Sequence, residues 1–337
     1  MDRGLPQAMF SFYPSAEQAK RFDAAMQFAL RESVLNIAAQ AQSVLPEHTL
    51  HAVQTWATSD PSARPTSPLG FGAFYDCIHA LQTDNFTTAN SLFNEIIDAA
   101  PASARPRITQ LGEDYSPAAA RRFQSFFKSE QTDASGFAPC SPQDARRFSN
   151  ALTIAMDSLA KHCPDLFQEF EAIVREVVLV APDGSSQDEF EGGTSFKLWG
   201  ALFLNAQSEA TPLELAITLA HEQGHAVLFG MCKDQMLVEN SDDERYWSAI
   251  RQAKRPLEGI FHATFVSARM AYAAREIRSG SALNRRDRDT AKQAIEQALE
   301  IYHDGVPTLA KHARFTSTGH LVFESMTAAM ADFTVKA

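Results

Sequence analysis

In Leu219-Ala220-His221-Glu222-Gln223-Gly224-His225-Ala226-Val227-Leu228, an H-E-x-x-H motif lies within an apolar, helix-forming run. Residues four apart share one face of an α-helix, so His221 and His225 can direct their imidazoles to one metal ion. Glu222 follows His221 round the helix, where its carboxylate can reach a metal-bound water or a neighbouring ligand. The motif therefore predicts a metal site, and the alternative is a helix with two inert histidines.

The residues before the motif have the features of a helix start. Thr211 is a favoured N-cap residue, Pro212 suits the first helical position, and Glu214 places an acid in the first turn. The apolar residues on both sides of the motif predict a buried helix. Because buried His and Glu side chains need polar partners, and a metal ion supplies one, burial favours the metal site.

The composition limits the classes of protein to consider. The chain has 337 residues, of which 45% are hydrophobic, so it can form one large domain or two. A net charge of -11 without a basic stripe argues against a nucleic-acid partner. The four cysteines are far apart and are typical of reduced thiols in a cytoplasmic protein. No signal sequence or membrane-spanning stretch is predicted, and the oligomeric state is left open.

The order of predicted elements indicates an α+β protein that is predominantly helical. We predict a helical N-terminal lobe over residues 1–172 and a metal-binding lobe over 173–337, with one continuous domain as the alternative. Segments 58–69 and 130–141 are predicted loops. Helices are predicted over 15–41, 87–100, 116–129, 141–172 with a break at Pro164, 242–251, 256–278 with a stop at Gly280, and two or three helices over 286–333.

Two strands are predicted before the motif helix. Arg175 to Ala181 is a short β-branched run, and Phe196 to Leu204 reads as a second strand. A small sheet beside an H-E-x-x-H helix resembles the zincin arrangement, in which a sheet edge borders the site and can pair with an extended peptide. The alternative is a small sheet that only covers the core, and the pattern leaves both open.

A catalytic metal site needs a third protein ligand, with positions left for water and substrate. One zinc-peptidase pattern has a Gly three positions after the second His and another His three further on. Gly230 comes too late for that pattern, which is excluded. Another pattern takes a Glu from a later helix, but Glu239 and Glu244 lie in a polar, turn-rich stretch where charged side chains are usually solvated.

Glu258 and His262 are better candidates for this position. They lie four apart in an apolar predicted helix and therefore share a face. We predict His262 as the third ligand, with Glu258 as the carboxylate that orients it. The reverse assignment stays open, since two His and one Glu also make a sound ligand set.

The motifs together resemble a known family. His221-Glu222-x-x-His225, followed about thirty residues later by Arg255-Pro256-Leu257-Glu258-Gly259-x-x-His262, looks like the HExxH-motif domain family of αKG-HExxH-type peptide β-hydroxylases from peptide natural-product clusters. The stretch Trp199-Gly200-Ala201-Leu202-Phe203-Leu204-Asn205 also fits that pattern. The resemblance covers roughly residues 175–280 and implies iron(II), 2-oxoglutarate and a ribosomally made precursor peptide hydroxylated at a β-carbon.

On that resemblance Glu222 orients the metal ligands and is not a peptidase base. A cation is needed for the distal carboxylate of 2-oxoglutarate, and a planar Arg suits it. Arg269 lies seven residues after His262 and is the first candidate, with Arg255 and Arg251 as alternatives. Each could instead be a surface arginine in a salt bridge.

Two other functional classes fit the same motif. The first is a zinc peptidase with Glu222 as general base and Glu258 as third ligand. The second is a binding protein without catalysis, in which the metal site is structural or decayed. The intact motif and nearby candidate ligands argue against the second class.

Overall fold

A computed structural model describes residues 10–99, 102–103, 105–130, 136–184, 190–249, 252–280 and 283–334. Within these ranges the chain is a predominantly helical α+β protein, as predicted. The described helices are α1 (Ala16–Gln40), α2 (Glu47–Thr58), α3 (Pro68–Gln82), α4 (Phe86–Asp98), α5 (Pro117–Glu130), α6 (Pro142–His162), α7 (Pro164–Ile173), α8 (Pro212–Met231), α9 (Leu257–Gly280), α10 (Arg285–His312) and α11 (Ser317–Thr334). Every helix of this described part is too short or too polar to cross a lipid bilayer.

The strands are short and belong to two sheets. They are β1 (Arg107–Gln110), β2 (Phe137–Ala138), β3 (Glu176–Pro182), β4 (Gly192–Thr194), β5 (Ala201–Asn205), β6 (Arg245–Ser248) and β7 (Ala253–Pro256). The larger sheet has the order β1-β3-β5-β4, with β2 also paired to β3, and β6 and β7 form a separate hairpin.

Local sequence signals fix several helix ends where they were predicted. The Ser15 hydroxyl accepts a hydrogen bond from the backbone N–H of Gln18 at 3.3 Å, which caps α1. Pro164 begins α7 directly after α6 ends, because proline cannot continue the preceding helix but suits a first turn. Gly280 is the last residue of α9.

The chain forms two compact units, each made of separate segments. One unit contains the described residues of Met1–Ala19, Asn150–Phe170 and Glu209–Ala337. The other contains those of Lys20–Ser149 and Glu171–Ser208. The predicted division into consecutive lobes at residue 172 differs from these two units. It stays a prediction about the order of domains along the chain.

The larger sheet lies in the unit formed by Lys20–Ser149 and Glu171–Ser208. β3 runs parallel to β1 on one side and to β5 on the other. Nearly all of β3 is buried, as expected for a central strand covered on both faces, and this explains its continuous apolar sequence. The strand predicted over 175–181 is therefore confirmed.

An aromatic cluster forms the core beside this sheet. The rings of Phe137 and Phe203 stack with centroids 4.8 Å apart, and Phe127 contacts both of them. Close packing of several buried rings contributes more than their buried area alone. The core of this unit is thus set by phenylalanines from strands and from α5.

The strand predicted over 196–204 begins later than expected. Residues Phe196–Leu198 form a 3-10 turn, and Gly200 has a φ of +90°, a backbone conformation that favours glycine. The Gly200 carbonyl accepts hydrogen bonds from the N–H groups of Arg175 at 2.8 Å and Glu176 at 3.1 Å. The extended strand therefore starts only at Ala201.

Asp23 holds this turn in place. One of its carboxylate oxygens accepts from the Trp199 indole N–H at 2.9 Å, and the other accepts from the Arg175 guanidinium at 2.6 Å. Trp199 is buried, so its N–H needs such a partner. The Trp199-Gly200 pair therefore has a structural role at the start of β5.

The helix predicted over 242–251 is wrong where the structure describes it. Residues Arg245–Ser248 form β6, which pairs antiparallel with β7. Arg245 and Trp247 are exposed while Tyr246 and Ser248 are half-buried, so exposure alternates with the period of a strand. Residues 250 and 251 lie outside the described ranges.

Candidate metal centre

Helix α8 presents the H-E-x-x-H motif. Its start is a capping box, in which the Thr211 hydroxyl accepts from the Glu214 N–H while the Glu214 carboxylate accepts from the Thr211 N–H at 2.7 Å. This confirms the predicted helix start. Most of α8 is buried, as the apolar flanks predicted.

Helix α9 packs antiparallel against α8. His225 contacts His262, Gly224 lies against Val266, and His221 contacts Met270, so contacts move forward on α9 as they move back on α8. A Cβ on Gly224 would lie 3.1 Å from Val266 Cγ1 and 3.5 Å from its Cα. The glycine thus allows the close approach that brings imidazoles from the two helices together.

Three imidazoles form one cluster at this crossing. The rings of His221 and His225 have centroids 4.9 Å apart, and those of His225 and His262 stack at 5.4 Å. The Nδ1 atoms of His225 and His262 are 3.2 Å apart. The structure therefore brings together the three histidines that the sequence singled out.

The second nitrogen of His262 faces Glu258. His262 Nε2 is 3.7 Å from Glu258 Oε1. The two oxygens of Glu258 accept hydrogen bonds from the backbone N–H groups of Leu237 and Val238, both at 3.2 Å. Glu258 thus links His262 to the chain that follows α8, which is the placement expected of an orienting carboxylate.

Met270 is a neighbour of the site that the sequence reasoning missed. Its sulfur lies 3.2 Å from His221 Nδ1. The tautomer that carries its proton on Nδ1 can donate to this sulfur, which leaves the Nε2 lone pair of His221 for a metal. Met270 lies eight residues after His262, so helical spacing could have found it.

Glu222 lies beside the cluster and is almost completely buried. Only 5% of the residue is exposed, and its Oε1 is 3.9 Å from His221 Nε2. A carboxylate this close to a ring nitrogen can influence the charge and the orientation of that ring.

The pKa of His225 is well below its ordinary value. Burial is the main cause, because it disfavours the charged ring, and the neighbouring His221 and His262 add to the effect. The His225 imidazole is therefore neutral at pH 7, which is the form that binds metal ions.

The structure places Arg269 in a buried network, which does not support its predicted role toward 2-oxoglutarate. The residue is 0% exposed, and its guanidinium pairs with the Glu169 carboxylate and donates to the Phe12 carbonyl at 2.8 Å. Glu169 also accepts from the Gln223 amide at 2.6 Å and the Ser15 N–H at 2.8 Å. A guanidinium already held by an internal carboxylate is a poor partner for a bound dicarboxylate.

The other predicted side chains lie nearer the surface. Arg255 is a half-buried residue of β7 and pairs with Tyr246 across the hairpin, while Arg251 lies outside the described residues. Glu244 binds the Arg314 guanidinium at 2.5 Å and accepts from the Tyr246 hydroxyl at 2.9 Å. These bonds hold the pKa of Glu244 low, at about 2, and occupy it with partners other than a metal.

Three imidazoles are chemically suitable ligands for a metal ion. Their nitrogens are not all arranged around one point. In the part of the chain that the structure describes, no three His, Cys, Asp or Glu side chains are already arranged as a metal-binding group. Two nitrogens that each lie about 2.0–2.1 Å from one tetrahedral ion are about 3.3 Å apart, close to the 3.2 Å between His225 and His262.

No known protein-family description matches this chain, and no curated protein matches it either.

Proposed function

We propose that this protein is an iron(II)- and 2-oxoglutarate-dependent hydroxylase, and that it acts on the β-carbon of a residue in a ribosomally made precursor peptide. The observation that carries the proposal is the position of His262. One of its nitrogens meets His225 and the other faces Glu258, which is the division of roles expected of a metal-bound histidine. The motif resemblance selects iron and 2-oxoglutarate over other metal chemistry.

Each residue of the cluster has a distinct task in this proposal. His221, His225 and His262 hold the metal, and three protein ligands leave open positions for cosubstrate and oxygen. With 2-oxoglutarate and dioxygen, the bound iron supplies the oxidising power that converts C–H to C–OH, with release of succinate and carbon dioxide. Glu258 orients His262, and Glu222 lies 3.9 Å from the His221 Nε2 that binds the metal, where its charge tunes that ligand.

Arg255 is the cation that we assign to the distal carboxylate of 2-oxoglutarate. It lies in β7, two residues before the start of α9, the helix that carries Glu258 and His262. Its planar guanidinium can bind a carboxylate through two parallel hydrogen bonds. A conservative Arg255→Lys change should therefore raise the KM for 2-oxoglutarate more than it lowers kcat.

The same proposal includes a cytoplasmic location and no nucleic-acid partner. All four cysteines are free thiols, which is typical of a reducing compartment. A net charge of -11 disfavours binding to another polyanion.

Metal binding and turnover test this proposal separately. Metal-free protein should bind one iron(II) ion under anaerobic conditions, and with oxygen and peptide it should form succinate and add one oxygen atom to the peptide. His262→Ala should abolish metal retention, while Glu258→Gln should weaken affinity by about 10- to 100-fold. His320→Ala, a change at an exposed histidine of α11, is the matched control and should retain the metal.

The reverse ligand assignment has a clear outcome in the same series. If Glu258→Ala abolishes metal retention and His262→Ala does not, Glu258 is the ligand and the assignment above is wrong. If no variant of the cluster changes metal binding, the site is not a metal centre.

A zinc peptidase is the second candidate, and the burial of Glu222 beside His221 favours it. In that reaction Glu222 acts as general base toward a zinc-bound water. Peptide cleavage by the zinc-loaded protein without oxygen, abolished by Glu222→Gln, would decide for it. Succinate formation that depends on oxygen and iron would decide against it.

A further inference from the structure

A cleft of about 740 Å³ lies at the far end of α9 from the imidazole cluster. It is lined by the last turns of α9, the first half of α10 and one residue of α11. Its volume is within the range of sites that hold small organic ligands or short peptides. The apolar residues that line it are Ile295 and Phe333, which are buried, and Leu299, which is half-buried, so we call them its floor.

The walls of this cleft carry more positive than negative charge. Four cations face two carboxylates, an excess of two positive charges in a chain whose net charge is -11. The six residues are Arg275, Arg278, Arg288, Lys292, Glu276 and Glu296.

Two of the four cations are already engaged. The Arg275 guanidinium lies 4.0 Å from the centre of the Phe333 ring and 3.1 Å from the Glu276 carboxylate. Lys292 Nζ is 3.7 Å from Glu296 Oε1, a weak and exposed pair. These two cations contribute little net charge to a ligand.

Arg278 and Arg288 have no carboxylate partner within the described ranges of the chain. Arg288 donates only to the Leu283 carbonyl, at 3.3 Å, and Arg278 is exposed at the end of α9. They lie on two different helices that line the same cleft. Two guanidiniums that face one space can each bind a carboxylate through paired hydrogen bonds.

The shape and charge together select the kind of ligand. An apolar floor under a cationic rim matches a short segment that carries both acidic and apolar side chains. The space is much larger than a single phosphate needs. The chemistry therefore favours an acidic peptide segment.

The distance between the cleft and the imidazole cluster indicates how far such a segment lies from the reacting residue of the peptide substrate. Arg278 follows His262 by sixteen residues on α9, which is about 24 Å along the helix axis. An extended chain covers about 3.3 Å per residue, so about seven residues are needed to span this distance.

We propose that the cleft binds an acidic segment of the peptide substrate, about seven or more residues away from the residue that reacts. The identity of the ligand as a substrate rests on the proposed function, whereas the binding of an acidic peptide does not. Recognition at a distance from the reacting residue then selects the substrate by its charge and not only by the modified side chain.

Binding is measured on the metal-free full chain by fluorescence anisotropy at low salt. The probe is a labelled peptide of about ten residues that alternates glutamate with leucine or phenylalanine. Saturable binding is expected, and a peptide with lysine in place of glutamate should not bind. The double variant Arg278→Gln/Arg288→Gln should raise Kd by about 10- to 100-fold, since it removes the two guanidiniums that bind carboxylates in the cleft.

A matched control distinguishes binding in the cleft from nonspecific electrostatic attraction between the peptide and surface arginines. Arg285→Gln/Arg286→Gln removes the same charge from exposed positions of α10 outside the cleft lining, and it should change Kd by less than about twofold. Equal loss in both double variants, or no saturable binding to the wild-type chain, would overturn the proposal. Displacement of the peptide by millimolar inorganic phosphate would identify a small-anion site and would also overturn it.

Turnover assays distinguish failure of the cleft from failure of the proposed function. If the acidic peptide binds in the cleft but iron and 2-oxoglutarate give no succinate with any peptide, the hydroxylase proposal fails and the binding site stands. If hydroxylation occurs and the KM for a peptide with an acidic segment is unchanged in Arg278→Gln/Arg288→Gln, the docking proposal fails.

Discussion

The buried pair formed by Glu169 and Arg269 should be among the most sensitive points of the fold. Both side chains are almost completely removed from solvent, and Glu169 accepts hydrogen bonds from Ser15, Gln223 and Arg269. Glu169→Gln keeps the size and one acceptor oxygen but removes the negative charge. The Arg269 guanidinium is then a buried charge without a counter-charge.

The expected loss follows from that uncompensated charge. Removal of one partner of a buried ion pair typically costs about 3–5 kcal/mol of unfolding free energy. For a unit of this size, about 2–4 °C of melting temperature is lost per kcal/mol, so the loss is roughly 10 °C. Urea denaturation and calorimetry of the metal-free protein measure both quantities.

The double variant Glu169→Gln/Arg269→Met tests the cause of this loss. Because it removes the buried positive charge as well, it should recover at least about half of the free energy lost by Glu169→Gln alone. The charge argument is refuted if Glu169→Gln costs less than about 1 kcal/mol, or if the double variant loses the sum of the two single losses.

Three further predictions concern other parts of the fold. Gly305→Ala should lower the free energy of unfolding by about 1–3 kcal/mol, because its Cβ would overlap Thr264 Oγ1. Gly259→Ala has room for the Cβ and should raise that free energy by up to about 1 kcal/mol. Equal melting temperatures of the two variants would contradict this. Asp23→Asn should cost about 2–3 kcal/mol, since Arg175 loses its counter-charge, and a loss below about 0.5 kcal/mol in urea would count against the Asp23 bridge. The native thiols should react slowly with a disulfide reagent at pH 8 and quickly after unfolding, because burial raises the pKa of Cys77 and of Cys163 to about 12; rapid native labelling of either would disagree.

Local signals were sufficient to predict the helices that carry the candidate site. The Thr211 capping box defines the start of α8, and Gly280 marks the end of α9. The four-residue spacing of Glu258 and His262 placed both on one face, and the structure has their side chains 3.7 Å apart. Such features depend only on neighbours in the sequence, so the sequence alone is sufficient to predict these helix ends and the shared face.

The hairpin at Arg245–Pro256 could not be predicted in the same way. Its residues have no strong turn sequence, and Gln252, just before β7, has a φ of +47° that is uncommon for its residue type. The pairing of β1 with β3 joins segments almost seventy residues apart, and β1 is only four residues long. Long-range pairing of short strands leaves little trace in local periodicity.

The role of Arg269 illustrates the same limit at the site. Helical spacing alone placed it on the His262 face, which made it a reasonable partner for a cosubstrate. Its actual partner, Glu169, is one hundred residues away in the sequence. A buried charge takes the nearest carboxylate that the fold supplies, and sequence spacing gives no information about that choice.

The two faces of α8 have different roles at the candidate site: one carries the imidazoles, and the other contacts the Glu169 network. Gln223 lies two residues from both His221 and His225, so it points about 200° away from them, toward the Glu169 network. The imidazole face has His225 in its neutral form, whereas the opposite face is tied by a charged pair. A neutral imidazole can bind a metal, and a buried ion pair resists rearrangement. The helix can therefore keep its position while its histidines change protonation and coordination. It follows that Gln223→Leu should lower metal affinity without any change in the ligands themselves, and affinity equal to wild type would show that the network does not position the motif.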